Sequence, residues 1–499
     1  MPVTPFGQWL PDQAEFMNPG ATVAKNVVPK TSTSYGPLGA LAPTSVAMTN
    51  RPQGAAGLRA SDGTVFTFTG DASNLFLFGS DDTTFDVVSK SAGAYTTASV
   101  DHWRFARFGD RVIAINGHAD HPQTWVMGTS TAFADLAGGG PRARQIGVIG
   151  DFLFMGDTWD STDGSVPNRI WWSKINDPTV WPTIGSTAAA DAQSDLQDLP
   201  LGGQVQAILG AIGGTDGAII SDTAIHRIHY VGPPSVFSID AVEHARGTIA
   251  PQSVVNVGSF AFYLSEDGFY SFNGATSQQI GDDRVDAWFY SELNAGYPEK
   301  VYGAADTVNK VVYWGFPSTN SSDGTPDRII MYNWGVDRWS YAEVDHEMLF
   351  RDLSHAYTME GLDAVAASMD VLQVSLDSDY FKGGLQSLSA FTTANRLAIF
   401  TGDNMEATIE TMEVGGPGMT LVNGIRPYVD GGTITVGLKT RDIPTVSEVL
   451  IGPNAVDFDG MAHFVKTARY HRAQVVIASA SSWEHAQGVD YDSQQSSII

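Results

Sequence analysis

The feature that most constrains this chain is a unit of strand, turn and strand that it writes again and again. Val311 to Glu343 reads VVYWGFPSTNSSDGTPDRIIMYNWGVDRWSYAE: an apolar run, a Gly/Ser/Asn/Asp/Pro cluster, a second apolar run, then Gly335, Asp337, Arg338 and Trp339 in a tight turn before a third. From residue 62 the same form recurs in DGTVFTFTGDASNLFLFGSDDTTFDVV, GDRVIAINGHADHPQTWVM, GDFLFMGDTWDSTDGSVPNRIWWS, GTDGAIISDTAIHRIHYVG and GSFAFYLSEDGFYSFNG. Runs of Val, Ile, Phe, Tyr and Trp bounded by Gly and Asp turns are the pattern of short antiparallel strands. The units start roughly 40 to 65 residues apart, which overlaps the blade period of a β-propeller, with insertions in the longer gaps. A propeller suits them because one small sheet cannot bury both faces alone and does so against its neighbours around a ring. A pair of stacked β-sandwiches would use the same hairpins and is the competing architecture. No repeat carries the Gly-His and Trp-Asp pairing of the WD type.

The expected fold is therefore all-β: a β-propeller-like ring of short antiparallel blades over residues 46–414, an extended N-terminal arm over 1–45, and a C-terminal β region over 415–499. The 52 Gly and 24 Pro of the 499 residues are scattered, which fits many short elements joined by turns. The arm, with NPGATVAKNVVPKTSTSYGPLG, has little periodicity and reads either as a poorly ordered terminus or, in an assembly protein, as a segment that orders against a neighbouring subunit or an adaptor, anchored by Trp9, Phe16 and Tyr35. On that reading the propeller folds without residues 1–40. The C-terminal region, with IRPYVDGGTITVGLKTRDIPTVSEVLIG and ARYHRAQVVIASASSWEHAQGVDYDS, reads as a closing blade or a small sandwich with a loose polar tail after Asp490. One segment, residues 359–384, departs from the strand pattern: Leu362, Val365, Met369 and Leu372 recur at helical spacing and Gly383 and Gly384 can stop a short helix.

Composition narrows function. A formal charge of -27 opposes ordinary nucleic-acid binding, which needs a basic stripe, although an acidic wall would let DNA slide past without sticking. There is no Cys, hence no disulfide frame and no thiolate metal site. The N-terminus lacks the pattern of a signal peptide, and QAILGAIGGTDGAII, the most apolar stretch, is too short and Gly-broken to span a membrane, so the chain reads as cytoplasmic when made. No GxGxxG follows a strand, no Gly-Lys pair permits a Walker-type loop, and HExxH and GxSxG are missing; HEMLF at His346 lacks the second His.

The remaining candidates are weighed one by one. His226 and His229 in AIHRIHY would fall on opposite faces of a strand, which argues against a metal pair. His118 and His121 sit in a turn, and Asp157, Asp160 and Asp163 are three apart rather than at the spacing of a calcium loop. SEDGFYSF misses the sialidase Asp-box, because Gly268 follows Asp267 directly and no Trp closes it. With 55 acidic residues no particular carboxylate pair can be singled out for glycoside hydrolysis. Trp171, Trp172, Trp181, Trp314, Trp334 and Trp339 suit a strand core better than a carbohydrate platform. Arg104, Arg107 and Arg111 in HWRFARFGDR, with Arg142 and Arg144 in PRARQ, form a local basic concentration that could dock an acidic partner, touch phosphates or stand as a solvated face.

The wording of several segments, NPGATVAKNVVPKTSTSYGPL, VPNRIWWSKINDPTVWP, GAIISDTAIHRIHYVG, ARGTIAPQSVVNVGSFAFYLSEDGFYSFNGATSQQIG, GIRPYVDGG and ARYHRAQVVI, resembles the tail hub or nozzle proteins of short-tailed bacteriophages. These are also called packaged-DNA stabilisation proteins, of the head-to-tail joint below the portal and its adaptor. The resemblance implies a β-propeller subunit, several copies of which, six by the family's habit, ring a channel through which DNA passes without sequence-specific binding. It implies partners in the portal adaptor and in tail fibres, tailspikes or a needle, a place in the virion tail after assembly in the bacterial cytoplasm, a role in DNA ejection, no cofactor, and no enzymatic activity. The alternative is a carbohydrate-binding or glycan-cleaving propeller acting as a receptor-binding tail protein.

Overall fold

The computed structural model describes residues 3–15, 18–79, 83–214, 216–354 and 386–495. Seven quartets of antiparallel strands follow one another. Blade 1 is Ala55–Arg59, Val65–Gly70, Leu75–Phe78 and Phe85–Val87; blade 2 is Arg104–Phe108, Arg111–Ile115, Gln123–Val126 and Ala134–Asp135. Blade 3 is Arg142–Ile149, Phe152–Asp160, Gly164–Trp172 and Leu196–Asp198; blade 4 is Val205–Ile212, Asp216–Ser221, Ile225–Gly232 and Val236–Glu243. Blade 5 is Val255–Asn256, Ala261–Ser265, Gly268–Phe272 and Ser277–Gln279; blade 6 is Tyr302–Asp306, Val311–Phe316, Arg328–Asn333 and Arg338–Glu343. Blade 7 takes Met348–Leu353, Gln386–Phe391 and Leu397–Ile399 from the end of the ring and its outermost strand, Ala42–Pro43, from the N-terminal segment. Six of the quartets are separate sheets, and blade 6 continues into a larger one.

The turns follow from residue chemistry. Gly109 and Gly150, each opening a Gly-Asp turn between the first two strands of a blade, have φ of 59° and 56° with open space where a Cβ would stand. Backbone conformation, not crowding, selects glycine there.

Apolar side chains between successive blades close the ring. Phe68, Val112 and Trp125 fill the seam of blades 1 and 2, and Ile113, Leu153 and Met155 that of blades 2 and 3. Phe154, Ile170, Ile219 and Ile228 join blades 3 and 4, and Ile220, Tyr263 and Tyr270 join 4 and 5. Phe262, Phe269, Trp314 and Trp339 lock blade 5 to blade 6, with Phe269 and Trp314 centroids 4.6 Å apart. Tyr313, Met331, Leu349, Phe391 and Phe78 tie blade 6 through blade 7 back to blade 1. Each blade thus buries on its neighbours what it cannot bury alone.

The C-terminal region is neither a closing blade nor a separate sandwich. Its strands Ala407–Glu410, Ala462–Ile477, Val414–Val429 and Ala486–Gln495 extend the sheet of blade 6, and the N-terminal segment is woven through it. Ala24–Lys25 lies parallel to the last strand of blade 6, with Lys25 opposite Tyr341, and antiparallel to Ala407–Glu410 on its other side. Thr4–Pro5 and Tyr35–Pro37 both pair with Ala486–Gln495, which carries the chain in regular structure past Asp490 rather than leaving it loose. Asp12 accepts from the amides of Ala287 and Trp288 in the first turn of the helix Asp286–Glu292, at 2.8 and 2.7 Å.

The N-terminal segment is therefore an intramolecular clasp. Trp9 and Tyr35 are fully buried in this chain, Trp9 against Trp288 and Tyr341, so they anchor the segment to its own sheet and are not available to a neighbour. The expectation that the arm waits for a neighbouring subunit is corrected on this point: its strands Thr4–Pro5, Ala24–Lys25, Val27–Pro29 and Tyr35–Pro37 already pair within the chain. Phe16 and the expected helix over 359–384 lie outside the described residues.

Candidate functional site

The first strands of the blades surround a central channel. Within it a cavity of about 560 Å³ is lined by Arg59 of blade 1, Arg104 and Arg107 of blade 2 and Arg351 of blade 7, beside His102, Tyr302 and Met348. A second space of about 290 Å³ shares His102, Arg104 and Gln252 and runs toward Arg144, Gln204 and Gln206 on blades 3 and 4. The four arginines of the larger space form no ion pair among the described residues. Arg59 and Arg107 donate only to the carbonyls of Gly63 and Gly109.

Burial sets the electrostatics of the channel. Desolvation holds the Arg104 guanidinium down to about 10, so its positive form is stabilised by no partner. His102 is pulled down to about 3, first by burial and then by the Arg104 and Arg51 charges, so it is a neutral imidazole at physiological pH. Burial also raises the Tyr302 hydroxyl and Glu347, and lowers Lys300, around the same mouth.

The five arginines expected to form one basic patch divide. Arg104 and Arg107 face the channel. Arg144 is taken up by Asp101 at 3.0 Å and by buried Asp157 at 3.5 Å, to which Gln204 also donates at 2.8 Å. Arg142 stacks 4.5 Å over Trp159 and donates to the carbonyls of His118 and Ala119. Arg111 donates to Thr124 on the neighbouring strand. The patch is thus corrected to two channel cations and three structural ones. Arg59 and Arg351 were missed because they lie far apart in the sequence and converge with Arg104 only through the ring closure; His102 was passed over although it opens the HWRFARFGDR stretch.

His118, His229 and the three aspartates have structural partners, whereas neither ring nitrogen of His226 has a hydrogen-bond partner among the described residues. His226 is buried and His229 exposed, on opposite faces as strand geometry requires, and His229 pairs with Asp216 at 2.6 Å. His118 lies 3.3 Å from an Asp157 carboxylate oxygen; burial alone would lower its pKa, but the hydrogen bonds to Asp157 raise it. Asp160 and Asp163 both pair with Arg169, which also meets Asp198 at 2.6 Å. Of the six tryptophans, Trp172, Trp181, Trp314 and Trp339 are core residues, while Trp171 and Trp334 are half-buried. Trp334 edges a groove of about 510 Å³ with Phe260, Asn273, Gln278, Asp282 and the Arg284–Asp337 pair, whose nitrogen and oxygen are 2.7 Å apart.

A different kind of surface stands on the C-terminal sheet. Strand Val449–Ala455 pairs on one side only, with Ile434–Arg441, and leaves an outer edge with Val449 61% and Leu450 45% exposed. The adjoining turns project Ile443 and Val446, and Phe458 and Val465 are 105% and 89% exposed.

No family model matches the chain, and no curated protein does. Among solved structures it is similar to the extracellular domain of the hybrid two component system BT4673 from B. thetaiotaomicron, at 10% identity and TM-score 0.41. That match covers 83% of this chain and 47% of the other, so the chain spans about half the length of that protein. It is also similar to the Cps50 (Swd1) β-propeller domain of Myceliophteria thermophila, at 9% identity and TM-score 0.37, over 71% of this chain and 98% of that one. A third is exo-β-1,3-galactanase from Phanerochaete chrysosporium, at 9% identity and TM-score 0.27, over 90% and 99% of the two chains. The expectation that the chain is not an enzyme does not stand against this set: a galactanase is among the structures that match, so the likeness extends to enzymes. At such identities the likeness concerns the fold alone and assigns no galactanase chemistry to these residues.

Proposed function

We propose that this β-propeller is an assembly subunit of the tail of a short-tailed bacteriophage, a hub or nozzle protein that rings the DNA path below the portal adaptor and carries tail appendages. The observation that carries the reading is the open edge Val449–Ala455 with the exposed apolar side chains around it. An isolated subunit exposes Phe458 and Val465 to water at a cost that a neighbouring subunit removes. Pro453 lacks an amide donor, so strand addition there would use the first half of the edge, where Val449 and Leu450 stand out. The sequence resemblance to the tail hub family supports the same reading, as does a net charge of -27, which suits a wall beside moving DNA. Sedimentation of the purified chain tests it: a concentration-dependent closed oligomer supports the reading, and a monomer at every concentration contradicts it.

A second reading, a glycan-binding propeller at the tail surface, is favoured by the groove beside Trp334. Half-buried Trp334 and Phe260, 6.2 Å apart, offer ring faces, and Asn273, Gln278 and Asp282 offer hydrogen-bonding groups around them. A glycan array read together with a polysaccharide-cleavage assay tests it, with Trp334→Ala as the control that must abolish any signal.

A further inference from the structure

We propose that the central channel of the propeller is a binding site for a small multivalent phosphate compound, held by Arg59, Arg104, Arg107 and Arg351. This site is separate from the assembly edge and does not rest on the tail reading. The chain carries 55 acidic residues against 28 basic ones, yet four guanidiniums line one cavity that has no carboxylate among its described lining residues. Arg104 is half-buried, and a cation so placed is normally paired with an anion, because an unpaired one loses hydration without return; Arg59, Arg107 and Arg351 are exposed and line the same space. No carboxylate among the described residues pairs with these guanidiniums, and a ligand of several negative charges would supply the anion. The planar fork of arginine suits phosphate oxygens in particular.

A second observation points the same way. His102 is 8% exposed, lies at the junction of the two channel spaces, and neither ring nitrogen has a hydrogen-bond partner among the described residues. The backbone groups of Gln53 and Glu299 lie near enough to favour its protonated form against the effect of burial. A buried neutral imidazole that lines both spaces has an N–H to offer a phosphate oxygen.

The surrounding charges do not cancel the site. Asp110, which acts on Arg107, is already hydrogen-bonded by the Ser61 amide and hydroxyl. Glu299 and Glu347, near Tyr302, are offset by Arg51 and Lys300. Arg104 and Arg107 are three residues, roughly 10 Å of strand, apart and leave it from opposite faces, yet both line the cavity, so the cations are spread over it rather than gathered at a point. Several linked phosphates match such a spread, and the cavity of about 560 Å³ has room for them.

The experiment is isothermal titration of the full chain with sodium tripolyphosphate at fixed ionic strength, with ATP as a parallel titrant. The expected result is saturable binding of one tripolyphosphate per chain, at least tenfold weaker in R104Q/R351Q and unchanged in R111Q, whose side chain lies off the channel. ATP binding equal to tripolyphosphate identifies a phosphate chain as the ligand, and tighter ATP binding identifies a nucleotide; either supports the site. Should R104Q/R351Q fail to melt cooperatively, R59Q/R107Q replaces it, since both side chains are solvent-exposed and their loss leaves the seams intact. No saturable heat with either titrant, or equal weakening in R111Q and the channel variant, overturns the proposal.

Discussion

The Arg338 guanidinium lies 4.2 Å over the Tyr35 ring and donates to the carbonyls of Phe6, Gly7 and Thr31, joining the last strand of blade 6 to the N-terminal segment. Arg338 is 2% exposed and has no carboxylate partner, so backbone oxygens and an aromatic face carry its charge. Replacing it with Ala takes a donor from the buried Phe6 carbonyl and the part-buried Thr31 carbonyl, while the Gly7 carbonyl keeps the Tyr35 hydroxyl. R338A should cost on the order of 3 kcal/mol, and R338K nearly as much because one ammonium cannot reach the same oxygens in a fixed fork. Chemical denaturation followed by tryptophan fluorescence measures both.

Deleting residues 1–40 should abolish cooperative folding. The deletion removes Trp9 and Tyr35 from the core, the strand Ala24–Lys25 from between blade 6 and Ala407–Glu410, and the approach to the outer strand of blade 7. This reverses the sequence-based expectation of an independent propeller. Thermal melting by circular dichroism distinguishes the two: the clasp predicts no sharp transition or an insoluble chain, and an unchanged midpoint contradicts it.

Asp286 gives a pH signature with a definite sign. Burial raises its carboxyl to about 6, against the hydrogen bonds from Gln279 and the Phe269 amide that favour the ionised form. Its folded pKa therefore exceeds the unfolded one, so between roughly pH 4 and 6 the folded state holds more protons and this group's contribution to stability falls as pH rises. Asp286→Asn, neutral throughout, should gain midpoint temperature relative to the parent at pH 8, and the gain should shrink as pH drops through 6 toward 4. Paired melts across that range check the trend; a difference that does not change with pH refutes it.

The exposed edge should be separable from the fold. F458D/V465D changes side chains that touch water, so its melting midpoint should stay within a degree or two of the parent. Its oligomer should dissociate, because two carboxylates would then have to be buried at the interface. Mass photometry at micromolar concentration reads the result.

Much of the ring was legible because its information is local. The alternation in VVYWGF and RIIMYN and the Gly-Asp turns at Gly109 and Gly150 specify hairpins within a few residues of themselves, and the repeats of such hairpins specify a propeller. What was not legible depends on long-range pairing. Nothing in TVAKNVV announces that Ala24–Lys25 will sit between strands more than 300 residues downstream, so the clasp was read as an arm. The channel was half visible: Arg104 and Arg107 stood out as a local cluster, whereas Arg59 and Arg351 are isolated in sequence and meet them only when blade 7 closes against blade 1. Arg111, Arg142 and Arg144 belonged to the same local cluster but point to strand and seam partners, because successive side chains of a strand diverge.

The assembly role is tested most directly by cryo-electron microscopy of particles from a lysate that contains this protein. The account predicts propeller density repeated in a closed ring beneath the portal, with the strand Val449–Ala455 and Phe458 buried at each subunit boundary. Propellers located away from the portal axis, or a ring whose boundaries leave Phe458 and Val465 in solvent, would contradict it.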